Sequence, residues 1–125
     1  MRVLIVDDEP GLAETVGSGL EENYGCRWTA AVSAAEALAL CQENDYDVVV
    51  ADYVMPETSG LELARQLRRC RPNLPVVLLT AYGSSFYSRE EREPEIDAVV
   101  QKPMPASQFI AVLRRVVQRR HPPAV

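Results

Sequence analysis

The sequence predicts an α/β domain with a (βα)₅ architecture, a doubly wound parallel sheet of five strands with helices on both faces. Short apolar runs rich in β-branched residues recur at residues 3–6, 48–51, 76–79 and 98–100, and such continuous runs are typical of strands covered on both faces. A more polar run at residues 27–31 fits a fifth strand, at an edge. Segments of helical length separate the runs, and this alternation favours a parallel sheet with right-handed crossovers.

Four of the intervening segments carry apolar residues at helical spacing. The stripes are Leu12, Val16 and Leu20; Ala34, Ala37, Leu38 and Cys41; Leu63, Ala64 and Leu67; and Phe109, Val112, Leu113, Val116 and Val117. Ser33 and Ser59 each stand three residues before a glutamate, which predicts a capped helix start after each serine. Pro105 suits a first helical turn. The segment 83–96 lacks an apolar stripe and contains Pro94, so we expect a short or frayed helix there.

Length and composition point to one globular domain. A chain of 125 residues suits a single compact unit, and 47% hydrophobic with 25% charged residues excludes a disordered or fibrous chain. We expect a soluble cytoplasmic protein without membrane contact, because the apolar runs are too short to span a bilayer and no charged-then-apolar leader opens the chain. Cys26, Cys41 and Cys70 are odd in number and far apart, which favours buried reduced thiols over a disulfide framework.

The distribution of charge argues against a nucleic-acid-binding protein. The formal net charge is −5, which repels a phosphate backbone. The last helical segment is nevertheless basic, with Arg114, Arg115, Arg119 and Arg120 near its end. Cations at that end of a helix complement its dipole. We therefore expect solvated arginines and no direct nucleic-acid binding.

Polar side chains stand where the predicted strands end. Asp7 and Asp8 follow the first run, Asp52 the third strand, Thr80 the fourth and Lys102 the fifth. In a sheet with the strand order 2-1-3-4-5, the winding reverses between strands one and three, and ligands bind at the carboxyl ends of the strands at that point. The sequence therefore predicts that the three aspartates converge.

Converging aspartates require positive charge. Three carboxylates about 5 Å apart repel by roughly 3 kcal/mol per pair at an effective dielectric constant of about 20. Lys102, the only lysine of the chain, is one candidate partner. A divalent cation is another, and ligation by oxygen alone favours Mg²⁺.

The same layout suits covalent chemistry at phosphorus. A carboxylate can attack phosphorus while Mg²⁺, Lys102 and the Thr80 hydroxyl hold the phosphoryl oxygens. We assign Asp52 as the nucleophile because it stands alone at its strand end. The adjacent Asp7 and Asp8 are better arranged to carry the ion.

The ordered set of these motifs resembles the receiver domain of two-component response regulators, which has a CheY-like fold of the flavodoxin type. The matching segments are residues 3–10 (VLIVDDEP), 52–56 (DYVMP) with Gly60, 79–81 (LTA) and 102–103 (KP). The resemblance implies a receiver domain over residues 1–121, followed by a tail or the start of a linker over 122–125. It implies that a phosphoryl group is taken from the phosphohistidine of a histidine kinase or a histidine phosphotransfer protein.

The resemblance also implies the Mg²⁺ ligands. Asp52 is the phosphoacceptor and itself a Mg²⁺ ligand in this reading. Asp8 binds the ion directly, Asp7 helps through water, and the backbone carbonyl of Val54 is a further ligand.

The remaining implied roles concern the phosphoryl group and the output. Lys102 pairs with the phosphoryl group, Thr80 moves to bond it, and the Lys102–Pro103 peptide is commonly cis in relatives. Such a protein is not a turnover enzyme, although it promotes its own phosphotransfer and dephosphorylation. It acts on an output partner or domain that the sequence does not identify, or through a homodimer.

Two positions depart from the family pattern. Val99 stands where relatives usually carry Tyr or Phe, three residues before the lysine, and Met104 stands where Phe is common. These departures affect the relay to the usual output face and leave the acceptor site intact. Val99 and the charged stretch at residues 89–95 keep open a docking module that works without phosphorylation.

A second alternative is a phosphatase with an aspartate nucleophile, which would share the parallel sheet and Mg²⁺. Such enzymes place the nucleophile and the acid/base two residues apart after the first strand. In this chain those positions are Asp7 and Glu9. The spacing disfavours this function, because the two aspartates of this chain, Asp7 and Asp8, are adjacent and the residue two positions after Asp7 is a glutamate.

Overall fold

The computed structural model describes residues 1–55, 57–80, 94–102 and 104–120. Its strands are β1 (Arg2–Val6), β2 (Arg27–Ala31), β3 (Val48–Asp52), β4 (Val76–Thr80) and β5 (Ala98–Gln101). All four strand pairings are parallel, and the order across the sheet is β2-β1-β3-β4-β5. The predicted fold class and strand order are therefore confirmed.

Four helices lie within the described residues: α1 (Pro10–Tyr24), α2 (Ala34–Glu43), α3 (Gly60–Cys70) and α4 (Ala106–Arg120). The predicted serine caps are confirmed, because the hydroxyls of Ser33 and Ser59 each accept a hydrogen bond of 3.1 Å from the amide three residues later. Most of the segment 83–96, where a short or frayed helix is expected, lies outside the described residues. His121 and the tail 122–125 lie outside them as well.

The sheet is covered on both faces, as its apolar strands predict. Val49 and Ala51 of β3 belong to one buried cluster, with the apolar sides of α2 and α3. Val48 and Val50 belong to a second cluster on the opposite face, with α1 and α4. Because each helix follows a strand in a parallel sheet, helices begin at the end of the sheet where the strands finish.

One expectation about the cysteines is wrong. Cys26 and Cys41 are buried, but Cys70 is exposed. The buried stripe of α3 ends at Leu67, and Cys70 lies a turn further on, at the last helical residue. Composition alone does not reveal this, because the exposure follows from where the helix passes the packed face.

No helix within the described part of the chain combines the length and the apolar character that a membrane span needs.

Candidate functional site

The strand register brings the polar strand ends to one edge of the sheet. Val6 is paired with Ala51 in the β1–β3 ladder, so Asp7 and Asp52 come next on neighbouring strands. Thr80 is paired with Gln101 in the β4–β5 ladder, and Lys102 follows directly. The amide of Lys102 donates a 2.7 Å hydrogen bond to the Thr80 carbonyl oxygen, which fixes the backbone of the lysine to the end of β4.

Three carboxylates meet at this edge. Asp7, Asp8 and Asp52 each offer an oxygen, and these three atoms lie within 4.8 Å of one another. Lys102 Nζ lies 3.3 Å from Asp52 Oδ2 and 3.6 Å from Asp7 Oδ2. Three carboxylates and one ammonium leave an excess of two negative charges. Hard oxygen donors carrying such a charge fit Mg²⁺.

The three acids differ in their access to solvent. Asp7 is only 2% exposed, Asp52 is partly buried and Asp8 is exposed. The buried Asp7 Oδ1 accepts a 2.8 Å hydrogen bond from the Glu9 amide. Asp8 faces water, so it is placed to exchange solvent for an ion.

Burial sets the protonation behaviour of Asp7. Desolvation raises the pKa of this carboxyl above its ordinary value of 3.8, and the negative charges of Asp52 and Asp8 raise it further. The Glu9 amide and the Lys102 ammonium oppose the shift. Positive charge in the site therefore favours the ionised form of Asp7.

Asp52 is held by its own loop. Its Oδ1 accepts a 3.3 Å hydrogen bond from the Val54 amide, while its Oδ2 faces Lys102. The Tyr53 amide donates to Leu79 O at 2.9 Å, which ties the next peptide to β4. Val54, whose carbonyl is an expected ligand, lies in this loop and is half exposed.

Thr80 and the relay positions are buried. Thr80 is 2% exposed at the last position of β4, one residue beyond the partner of Asp52 in the ladder. Val99 is buried in the cluster under α2 and α3, and Met104 packs partly buried on the other face. Pro103 lies outside the described residues, and with it the expected cis peptide.

Two groups were assigned no role in the site from the sequence alone. The Glu9 amide is one, and its signal was available: an aspartate two residues before the donor commonly forms such a turn. Gly60 is the other, because it packs directly against the Asp52 carbonyl. A glycine just after a capping serine, where alanine would be the better helix former, was the signal for it.

The arginines of α4 have partners within the chain. Arg120 Nε donates to Asp97 Oδ1 at 2.7 Å. The Arg114 guanidinium lies 5.6 Å from the centre of the Tyr24 ring. The expectation of solvated arginines is therefore wrong for Arg120, whose side chain is only 28% exposed and pairs with Asp97.

Comparison with known proteins agrees with this geometry. The family model described as "Response regulator receiver domain" matches residues 3–114. The chain is 32% identical over 123 residues to the phosphate regulon transcriptional regulatory protein PhoB of Pseudomonas aeruginosa, covering 96% of this chain and 53% of that protein. It is 37% identical to the probable transcriptional regulatory protein TcrX of Mycobacterium tuberculosis, with 95% and 50% covered. The chain thus spans about half the length of these relatives.

Solved structures are similar over nearly the whole chain. A Francisella response regulator receiver domain superposes with a TM-score of 0.83 at 33% identity, covering 94% of this chain and 97% of the other. The response regulator TrrA of Thermotoga maritima, solved in complex with Mg²⁺-BeF, gives a TM-score of 0.81 at 32% identity, with 92% and 97% covered.

Proposed function

Since this chain belongs to the response regulator receiver domain family, we propose that it is a phosphoacceptor switch in which Asp52 takes a phosphoryl group from a phosphohistidine. The donor is a sensor histidine kinase or a histidine phosphotransfer protein. One observation carries the proposal: a partly exposed Asp52 carboxylate stands 3.3 Å from the Lys102 ammonium, beside two further aspartates. This arrangement leaves the acceptor reachable from solvent, in a site whose net negative charge a cation can offset.

The transfer step needs no general base. An Asp52 carboxylate oxygen forms the new bond to phosphorus, while the bond between phosphorus and the imidazole nitrogen breaks and its electron pair stays on the leaving imidazole. Lys102 Nζ, already within 3.6 Å of two carboxylates, pairs with a phosphoryl oxygen as the charge redistributes. The Thr80 hydroxyl, at the end of the neighbouring strand, bonds a further phosphoryl oxygen.

The acids of the site fit Mg²⁺. Asp8, Asp52 and the Val54 carbonyl would hold the ion directly, and Asp7 through water. The bound ion supplies positive charge that offsets the repulsion between the carboxylates and the incoming phosphoryl group. Asp7, fixed by the Glu9 amide, keeps its carboxylate in place before any ion arrives.

The product of this chemistry is a change of state in the protein. Receiver domains of response regulators are generally not turnover enzymes, and we assign to this chain only its own phosphorylation and dephosphorylation at Asp52. Residues 1–121 form the receiver and 122–125 a tail or linker start. We place the protein in the cytoplasm, where its kinase would act, with an output partner, an output domain or a second copy of the chain as the recipient of the signal.

Incubation with acetyl phosphate and Mg²⁺ tests the proposal. The wild-type protein should gain one phosphate by intact-mass spectrometry, and Asp52→Asn should gain none. Asp45→Asn is the matched control, because Asp45 is an exposed aspartate that pairs with Arg71 away from the site; this variant should label like the wild type. A gain of phosphate in Asp52→Asn would contradict the assignment of Asp52 as the acceptor.

A docking module that works without phosphorylation is the second candidate. Val99, buried where relatives usually carry an aromatic ring, is the observation that favours it. A wild-type protein that gains no phosphate, yet still binds Mg²⁺, would support this candidate over the switch.

A further inference from the structure

Gly60, the first residue of α3, lies directly against the backbone of the proposed acceptor. A Cβ atom at Gly60 would stand 2.6 Å from the carbonyl oxygen of Asp52 and 2.8 Å from Cδ2 of Leu78. Real Cβ atoms essentially never approach so closely, and the nearer neighbour is a backbone atom that has no rotamer to change. Helix α3 therefore begins at a distance from β3 that only a residue without a side chain allows.

Space, and not backbone conformation, excludes a side chain at this position. Among the residues that the structure describes, the only glycine in the left-handed region is Gly25. The torsions of Gly60 would therefore accept alanine, which also has the higher helix propensity. The requirement for glycine comes from the Asp52 carbonyl and the Leu78 side chain.

Hydrogen bonds connect Gly60 to the loop that carries the site. Its amide donates a 2.9 Å hydrogen bond to the carbonyl oxygen of Tyr53, the residue after Asp52. Val54 and Ser59 pair across the same loop in a single antiparallel bridge. The residue that touches the Asp52 carbonyl thus also holds the peptide that leads to Val54.

We propose that Gly60 is a positioning residue for the Asp52 carboxylate and the Val54 backbone. The proposal rests on the function given above, because it names what holds the acceptor in place. A side chain at position 60 pushes β3 and α3 apart at Asp52, and the gap must open from 2.6 Å to about 3.4 Å before the contact is an ordinary one. Asp8 and Lys102 follow other strands, β1 and β5, so a displacement of Asp52 changes the distances between the site groups.

Gly60→Ala tests this assignment beside two other glycine variants. Gly17→Ala is the crowded control, because a Cβ at Gly17, on α1, would meet the ring of Trp28, on β2. Both residues are remote from the loop that follows Asp52. Gly19→Ala is the uncrowded control, since nothing lies within 4 Å of its added Cβ. A general cost of crowding affects Gly17→Ala and Gly60→Ala alike, whereas a positioning role affects Gly60→Ala alone.

Three measurements separate positioning from folding. Urea unfolding followed by circular dichroism reports stability, Mg²⁺ titration reports the ion site, and acetyl phosphate labelling reports the acceptor. We expect Gly60→Ala to label about 10- to 100-fold more slowly than the wild type, because sub-ångström misplacement of a reacting group has effects of this size. Its Mg²⁺ affinity should fall, while both control variants keep wild-type labelling and wild-type Mg²⁺ affinity.

A readout in the metal-free protein makes the test independent of the chemistry. The backbone amide resonances of Asp52, Tyr53 and Val54 should shift in Gly60→Ala without Mg²⁺ and stay in place in Gly17→Ala. If wild-type labelling occurs on Asp52 and Gly60→Ala matches the wild type in labelling and Mg²⁺ affinity, the positioning role is overturned and the proposed function stands. If Asp52→Asn still gains phosphate, the proposed function fails, and the amide shifts alone decide the role of Gly60.

A second variant covers the case in which Gly60→Ala does not fold. The double variant Gly60→Ala with Leu78→Val removes the Cδ2 contact and leaves the Asp52 carbonyl as the close neighbour. Its labelling is compared with that of Leu78→Val alone, and the same slowing is expected. If neither variant of Gly60 retains a folded fraction where Gly17→Ala does, Gly60 serves folding and the positioning role is wrong.

Discussion

The two ends of the sheet combine charged groups in opposite proportions. At the carboxyl end, the single Lys102 ammonium is shared by Asp7 and Asp52 at 3.6 and 3.3 Å, with Asp8 close by. Before β5, near the amino end, the single Asp97 carboxylate is shared by Arg120 and Arg68 at 2.7 and 3.3 Å. The cluster around Lys102 has an excess of acid, and the cluster around Asp97 has an excess of base.

The difference lies in how completely each shared group is satisfied. Asp97 accepts hydrogen bonds on both oxygens, including one of 2.8 Å from the Val76 amide, and its side chain is 9% exposed. It joins β4, α3 and α4 in one closed cluster. Lys102 makes longer contacts and is more exposed, at 24%. The amino end is therefore built for stability, whereas the carboxyl end keeps unbalanced charge that a cation and a phosphoryl group can use.

The largest expected effect is that of removing the Lys102 ammonium on the rate of phosphorylation. Lys102→Ala should keep Mg²⁺ binding, because its removal leaves the aspartates in place and increases the negative charge. Labelling by acetyl phosphate should slow by about 100-fold, the size expected when a preorganised charge is lost from the reacting centre. The change of conformation that follows phosphorylation should weaken as well, which amide chemical shifts of the phosphorylated protein can measure.

Arg114→Ala is the control for Lys102→Ala, because it removes a cation from the exposed face of α4. It should label at the wild-type rate. A wild-type rate in Lys102→Ala itself would show that the ammonium is an ordinary surface cation.

The next effect is on stability, at the other end of the sheet. Asp97→Asn keeps the shape of the side chain but leaves Arg68 and Arg120 facing a neutral amide. We expect a loss of about 2 kcal/mol in the free energy of unfolding, below the cost of breaking a fully buried pair because solvent reaches both arginines. Urea unfolding measures the loss, and Mg²⁺ affinity should not change. A fall in Mg²⁺ affinity with unchanged stability would contradict the division of roles between the two ends.

The sequence predicts the carboxyl end better than the amino end, for a physical reason. Continuous apolar runs identify the strands, and in a parallel sheet the residues that follow each strand lie at the same edge. The convergence of Asp7, Asp52 and Lys102 could therefore be predicted from local sequence patterns. The Asp97 cluster has no such rule, since Arg68 and Asp97 are 29 positions apart and on different elements. The close approach of Gly60 to Asp52 and the exposure of Cys70 likewise depend on how one helix is seated against the sheet.

The smallest expected effect is that of the Asp7 charge on stability, and it can be measured through the pH dependence of unfolding. Burial raises the pKa of Asp7 above its ordinary value of 3.8, so the native state binds this proton more tightly than the unfolded chain does. Between 3.8 and the raised pKa the native state holds more protons, and the free energy of unfolding falls as the pH rises through that window. Ionised Asp7 therefore lowers stability at neutral pH when no Mg²⁺ is present.

Asp7→Asn removes this penalty and keeps an oxygen that can accept from the Glu9 amide. Without Mg²⁺, the variant should unfold at a slightly higher urea concentration than the wild type at pH 7, and the difference should vanish as the pH falls below 3.8. Added Mg²⁺ should reverse the order, because binding stabilises the wild type more strongly than a site with one acid fewer. Asp45→Asn, the exposed control, should show no such reversal of order when Mg²⁺ is added. A variant that is less stable than the wild type at pH 7 without Mg²⁺ would mean that the buried acid is already neutralised by Lys102, and the carboxyl end would then hold no unbalanced charge for an ion to use.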